Sequence, residues 1–565
     1  MRARRHRSRV LMSLVSLSLV LVACGGQTAS VAPSEGDADE TDAPGGSAAP
    51  PVASGGTISI AFEGNIASLD PSQGYDYISW PAERLIFETL VTYGESTELV
   101  PGLATEMPQV SDDGLTYTFS LREGVSFVLP DGTVHREMTA DDVVHSLNRV
   151  LNPNLKPTPS PVSGSFFTII DGAQAVVDGE ADEASGLVAV DDQTVEITII
   201  QPDLTFLNIL AMPFASIVPA DLAGEDTEAF AAEPVGTGPY TLESYTIGQT
   251  AVFVPNPHYW GEPPANGGVE FRVGVDANTA VQQVEANQLD IMGDPIPAGV
   301  ITSLRDNPEY EDRLSVFNQV AVSYLSIDTT PPDDGPLADV NVRQAMNHAI
   351  DKENILQLMR GRGVVAHCIY PTDMPGYNPD CMPYEYDPER ALELMEEAGV
   401  ADGFATTLYT DPSEDSTAIA QAIQQDLAAI GIEIEIITQE FDVLIGTIST
   451  PHEAPLVWIG WFQDFPDPSD FYEPILSCAA AVEGGFNTSW YCDEENDALS
   501  AEAKGLQDVD ERLEMYQQLE LQVMEDAPWV PVMFPAVDTF ISDRVTNFAP
   551  HPVWFVDLAK YGTTD

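Results

Sequence analysis

Ile419, Ile423, Leu427 and Ile430 recur at helical spacing; Gly431 follows, and then Ile432-Glu433-Ile434-Glu435-Ile436 alternates strictly between apolar and acidic side chains. The first set places an apolar stripe along one face of a helix, the glycine stops it, and the alternation gives a strand one buried and one wet face. A helix packed on the strand it feeds indicates a mixed α/β chain. Outward from there, β-branched and aromatic residues concentrate in Thr57–Phe62, Thr116–Leu121, Thr194–Ile200, Ala251–Pro255 and Leu456–Trp461, which predicts strands. A second helix is predicted from Asp387 as N-cap and Pro388 in the first turn through Leu394, Met395 and Ala398 to Gly399. A third spans Val340–Leu356, with Ala345, Met346, Ala349 and Ile350 on one side. There is no exact internal repeat.

The 565 residues are 44% hydrophobic, enough for about three or four domains at ~150 residues each. Lys and Arg number 22 against 90 Asp and Glu, for a formal net charge of −68. That balance excludes a phosphate-reading surface, because nucleic acid and anionic lipid are held by clustered bases. The lysines, Lys156, Lys352, Lys504 and Lys560, are scattered. A uniformly acidic, lysine-poor surface keeps a protein hydrated in strong brine, and it also occurs in ordinary secreted proteins.

The N-terminus reads as an address. Arg2, Arg4, Arg5, Arg7 and Arg9 precede an uncharged apolar run from Val10 to Ala23, which is too short to span a bilayer and fits residues 1–23 as a secretory signal. Its end, Leu21-Val22-Ala23-Cys24-Gly25, resembles the lipobox of bacterial lipoproteins, which implies diacylglycerol on Cys24 and a firm two-chain anchor. Residues 24–56 are rich in Gly, Ala, Ser, Pro, Asp and Glu. They predict a disordered tether with a root-mean-square span of roughly 30 Å. No later segment has 18 uninterrupted apolar residues.

Four further cysteines allow three pairings. Their local spacing favours Cys368–Cys381 and Cys478–Cys492, each bridge contributing roughly 3 kcal/mol in the chain-entropy account. Without a C-x-x-C or a histidine at ligand spacing, no metal site is expected. Catalytic signatures are missing too: no G-x-S-x-G, no H-E-x-x-H, and no phosphate-binding loop. Gly236-Thr237-Gly238 and Gly361-Arg362-Gly363 lack the third glycine of a dinucleotide site. No cofactor and no catalytic residue is assigned.

A series of segments carries a family likeness. It runs through Ser68-Leu69-Asp70-Pro71, Pro101-Gly102-Leu103-Ala104, Ser111-Asp112-Asp113-Gly114-Leu115-Thr116-Tyr117-Thr118-Phe119, Leu121-Arg122-Glu123-Gly124-Val125-Ser126-Phe127 and Thr139-Ala140-Asp141-Asp142-Val143-Val144. It continues with Val235-Gly236-Thr237-Gly238-Pro239-Tyr240, Asn256-Pro257-His258-Tyr259-Trp260, Val342-Arg343-Gln344-Ala345-Met346-Asn347-His348-Ala349-Ile350-Asp351, Gly460-Trp461-Phe462-Gln463-Asp464-Phe465-Pro466-Asp467-Pro468 and Ala527-Pro528-Trp529-Val530-Pro531. In this order the chain resembles the peptide/nickel class (family 5) of extracellular solute-binding proteins that serve ABC importers. Most of these residues read as scaffold: Asp112-Asp113-Gly114 as a turn, and Thr139 as N-cap of a helix with acids in its first turn.

The resemblance implies an α/β, two-lobed periplasmic-binding-protein-like fold (type II, cluster C) with an extra inserted β-rich domain. Carried over, lobe I is 57–92, 235–322 and 535–565, the inserted domain is 93–234, and lobe II is 323–534. The chain then crosses between lobes near Val322 and Phe534, the candidate hinges. The resemblance also implies that Asp464 accepts a ligand's α-ammonium group, against the plainer reading that it shapes a proline-rich turn as Asp467 does. Gly460, Trp461 and Phe462 are the candidate strand edge for an extended peptide, with Trp461, Tyr75 and Tyr77 as pocket aromatics or core. Tyr75 and Trp458 stand where relatives often carry charge, which leaves a ligand carboxylate without an assigned partner.

The function implied is a monomeric, lipid-anchored binding protein on the outer face of the bacterial cytoplasmic membrane. It would capture short peptides and deliver them to the permease and ATPase of an importer. The alternatives are the same role for a nickel chelate, an oligosaccharide or another polar solute, and, remotely, an extracellular hydrolase. If the acidity is a salt adaptation, removing salt unscreens the repulsion and unfolds the domain. Tm should then climb with NaCl, whereas a Tm indifferent to salt refutes the adaptation.

Overall fold

The computed structural model describes residues 55–332, 335–506 and 508–564. The signal segment, Cys24 and most of the tether lie outside them.

The helix Glu414–Ala428 starts at Ser413, whose hydroxyl accepts from the Ser416 N–H, and buries Ile419, Ile423 and Leu427. Gly431 turns the chain with φ +87°, passing so close to Gly403 that a side chain there would press on its backbone. The strand Ile432–Thr438 then pairs in parallel with Phe404–Thr410 along its whole length. Onward across the sheet come Leu456–Phe462, Ala321–Ile327, Trp529–Phe540 and Leu314–Asn318, with Gly363–Val365 pairing on Trp529–Phe540. Alternation divides the side chains between two cores. Leu325, Ile327, Leu456, Trp458 and Val530 face the helices that bury Met346, Leu394 and Ile423, while Val322, Tyr324 and Trp529 face Tyr370, Phe471 and Tyr516.

A five-stranded sheet forms the other lobe, in the order Tyr240–Thr246, Thr250–Pro255, Gly268–Val273, Thr57–Phe62 and Ile291–Met292. A four-stranded antiparallel sheet, Gln109–Val110, Thr116–Ser120, Thr194–Thr198 and Leu187–Asp191, shares one core with it, in which Phe62, Phe119, Phe127, Phe253 and Phe271 are all fully buried. Two sequence motifs meet at Glu88. Its carboxylate accepts from Thr237 Oγ1 at 2.8 Å, Tyr259 Oη at 3.0 Å and Trp260 Nε1 at 2.8 Å, which clamps two separate motifs to one side chain. Gly236 and Gly238 lie against the Ile86 backbone, with room for no Cβ. Thr139 caps its helix reciprocally with Asp142, and Gly114 takes φ +72° in the predicted turn.

The two sheets are joined by the strand Trp529–Phe540, which continues to a bridge between Ile541 and Ile291. Val322 and Phe534 both lie inside strands rather than in loops. The single helix predicted over Val340–Leu356 is instead two, Val340–Ala349 and Lys352–Leu358. Ile350 is extended, and the Asp351 carboxylate accepts from the Asn354 N–H, restarting the helix in a new direction. The structure pairs Cys368 with Cys381 and Cys478 with Cys492.

Beside the first bridge, Glu520 Oε1 accepts from the N–H groups of Ile369 and Tyr370, both at 2.8 Å, while its second oxygen has no partner. Burial pushes this carboxyl up to about 8 despite those two donors. The unfolded chain releases that proton near pH ~4.3, so stability is full below that value and drains away as pH rises toward the folded value. In urea titrations at pH 5 and pH 8, Glu520→Gln should erase this loss and leave the variant more stable at pH 8 by an amount on the order of 2 kcal/mol. Equal pH dependence in both proteins refutes the assignment.

Candidate binding cavity

The segment after the central strand Leu456–Phe462 leaves the sheet at Gln463 and delivers Asp464 against the other lobe. Asp464 is 5% exposed, and both of its oxygens receive the Tyr75 hydroxyl, at 2.8 and 2.9 Å. Its own backbone N–H donates to Asp470 Oδ2 at 2.8 Å. Asp470 is 1% exposed, and its other oxygen is unpartnered. Among the described residues no Lys, Arg or His forms an ion pair with either acid. Burial drives both carboxyls upward; the Tyr75 hydrogen bond works against this at Asp464, and the nearby Asp464 charge adds to it at Asp470.

Asp467 behaves differently. It caps the short helix Pro468–Phe471 through the Ser469 N–H and hydroxyl, and Arg512 meets it with two nitrogens at 2.7 and 2.8 Å. The turn-shaping role therefore belongs to Asp467, with its charge neutralised, and Asp464 is left facing open space.

That space is a cavity of about 390 Å³. One wall comes from Tyr75 and from the segments around Phe166, Ile169 and Ile200; the other comes from Trp461, Asp464, Phe465, Asp470 and Phe486. Phe465 reaches across into the first lobe's core and meets Phe166 edge to face at 6.1 Å. Deeper along the wall Lys504 Nζ stands 2.9 Å from Asp203 Oδ2 and 2.9 Å from Glu473 Oε2. The walls thus approach through aromatic contact, a phenol–carboxylate bond and an ion triad.

Of the residues singled out from sequence, the cavity brings together Tyr75, Trp461 and Asp464. Tyr77 lies elsewhere, 57% exposed and donating to Asp294 at 3.0 Å. Gly460 and Phe462 are also not on the lining; they belong to the strand Leu456–Phe462, which pairs fully with Ala321–Ile327 but with Phe404–Thr410 only at Leu456 and Val457. Beyond Val457 that edge carries no ladder partner among the described residues. The sequence reading missed Asp470, Lys504, Asp203, Phe166 and Phe486. Only Asp470 stands close in sequence, six residues past Asp464 and two past the end of its motif; the others are brought in by tertiary packing.

Removing the buried charge should relax the empty protein. At pH 8 Asp464→Asn is expected to unfold at higher urea than the unsubstituted protein, with the gap narrowing toward pH 4, because the raised carboxyl costs stability only where it would ionise. Tyr75→Phe, which strips the acid of its hydroxyl donor, should cost about 1–3 kcal/mol at pH 8. The reverse order of the two variants contradicts this picture.

Comparison with known proteins gives the family. Residues 98–482 match the family of bacterial extracellular solute-binding proteins, family 5. The dipeptide-binding protein of Escherichia coli (strain K12) is 32% identical over 491 residues, covering 85% of this chain and 88% of that protein. Heme-binding protein A of Haemophilus influenzae is 31% identical, covering 83% and 85%. In structure, the periplasmic binding protein DppA of Helicobacter pylori, solved in complex with the peptide STSA, superposes with a TM-score of 0.76 at 27% identity, covering 90% of this chain and 98% of that one. With its two α/β lobes and a cavity walled by both, the chain belongs to the family 5 extracellular solute-binding proteins.

Proposed function

We propose that this protein is the lipid-anchored solute-binding component of an ABC importer, and that it captures short peptides between its lobes by their α-ammonium group. The observation that carries the reading is Asp464, a carboxylate buried at a cavity wall with a phenol as partner and no cation. An ammonium group entering the cavity supplies the missing charge. Exclusion of water then strengthens the pair, since the same Coulomb attraction at 4 Å grows from about 1 kcal/mol in water to about 4 kcal/mol at an effective dielectric near 20. Tyr75 orients the carboxylate from the opposite lobe, so ligand and closure reinforce one another.

The unpaired edge of Gly460, Trp461 and Phe462 offers backbone groups to an extended peptide, which gives affinity without reading side chains. The apolar walls at Phe166, Ile169 and Phe486 take side chains. Cys24 carries the anchor, residues 24–56 the tether, and the closed lobes present one fixed surface to the permease of an importer. The protein acts by binding and not by turnover. A heme ligand, suggested by the name of one relative, fits less well, because the lining offers its propionates four acids and one lysine already paired with two of them.

Calorimetric titration and thermal melting of the purified protein test this against di- and tetrapeptides, their N-acetylated forms, nickel chelates, oligosaccharides and heme. A peptide at 100 times its Kd should add about 2.7 kcal/mol of stability. N-acetylation and Asp464→Asn should each weaken binding at least about 100-fold, the loss expected when a desolvated charge pair is broken. Binding of acetylated peptides with undiminished affinity, or saturation only by another class of solute, overturns the proposal.

A further inference from the structure

Lys504 is the only basic residue on the cavity lining among the described residues, and it faces that lining already occupied. Asp203 is fully buried, and Glu473 is half-buried; each has an oxygen 2.9 Å from the ammonium nitrogen. Asp203 is itself fixed, its Oδ1 accepting from the Thr205 N–H at 2.8 Å and the Thr205 hydroxyl at 2.6 Å. Burial works against the Lys504 charge, but the two acids outweigh it and keep the amine protonated. The cavity wall therefore carries Asp464, Asp470, Asp203 and Glu473 against one lysine. An incoming carboxylate would have to displace an anion from Lys504 or remain buried unpaired, and the second choice is among the most costly events in recognition.

Resting on the peptide reading above, we infer that Lys504, held by Asp203 and Glu473, makes the cavity select against a free carboxylate: it takes amines whose acid end is masked or lies outside the cavity, such as peptide amides and the N-terminal residues of longer peptides. The selectivity comes from what the cavity lacks as much as from what it offers. Asp464 meets the ammonium group, the apolar walls take the first side chains, and the lining holds no basic residue free of an acid among the described residues. Asp203 and Glu473 are thus specificity determinants although neither needs to touch the ligand.

The test compares Leu-Phe, Leu-Phe amide and the tetrapeptide Leu-Phe-Ala-Ala by calorimetric titration on the intact protein. In the unsubstituted protein the amide and the tetrapeptide should bind at least 10-fold more tightly than the free dipeptide. In the double variant Asp203→Asn, Glu473→Gln, Lys504 is released to receive the C-terminal carboxylate, and the ratio should fall to one or invert. Glu473→Gln alone, a half-buried site that tolerates an isostere, should move the ratio in the same direction if the double variant does not fold. A merely structural triad would lower all three affinities together. Equal binding of acid and amide by the unsubstituted protein, with N-acetylated controls still inactive, overturns this inference and leaves the ammonium site standing. Failure of every free-amine peptide to bind overturns both.

Discussion

Two carboxylates, Asp464 and Asp470, lie out of water beside one another, without a cation among the described residues to meet them. Folding tolerates such an arrangement only where the surrounding structure dictates it, because an unpaired buried charge costs several kcal/mol and the acid protonates instead. The enforcing structure is visible. The central strand Leu456–Phe462 is locked on one side by Ala321–Ile327, Asp467 is clamped by Arg512, and Phe465 is anchored in the opposite core. With its neighbours fixed on both sides, Asp464 has nowhere to go. The cost is local, and the ammonium group proposed above would offset it.

The same geometry explains how one protein couples capture to shape. Asp464 belongs to the seven-stranded lobe and Tyr75 to the five-stranded one, so their bond exists only while the lobes are together. Phe166 with Phe465 and Asp203 with Lys504 meet under the same condition. These contacts are small beside the cores, which contain the large fully buried aromatics. Well-packed lobe cores joined across polar and aromatic contacts of this kind are the arrangement in which a ligand's differential affinity can shift an equilibrium between open and closed forms.

Legibility in the sequence followed the range of the interaction. The helix and strand around Gly431 were readable because their periods are local, and so were the capping of Thr139 and the turn at Gly114. The Val340–Leu356 reading failed at Ile350-Asp351, where an aspartate that fits a helical pattern is used to start a second helix. Asp464 was singled out through motif resemblance; the residues alone do not distinguish it from Asp467 three positions on, and it is Arg512 on one acid and Tyr75 on the other, both brought in by tertiary structure, that separate their roles. Asp203 and Glu473 were invisible for the same reason, standing among 90 acids with nothing local to mark them. Tyr75 was named as a pocket aromatic, yet its use as a hydrogen-bond donor to an acid 389 residues away belongs to tertiary structure.

The acidity of the surface and the acidity of the cavity are different physical quantities, although the composition mixes them. The formal charge of −68 counts both; its exposed part acts through water and fades beyond about 10 Å at 0.1 M salt, repelling phosphates and drawing in cations of every kind. The cavity acids act where water is excluded and salt does not screen, at distances near 3 Å, so they discriminate by where a positive charge sits on a molecule. A protein covered with carboxylates gains no specificity from having more of them outside. On the reading proposed above, it gains specificity by burying a few, leaving Asp464 and Asp470 without a cation among the described residues and pairing Lys504 with Asp203 and Glu473.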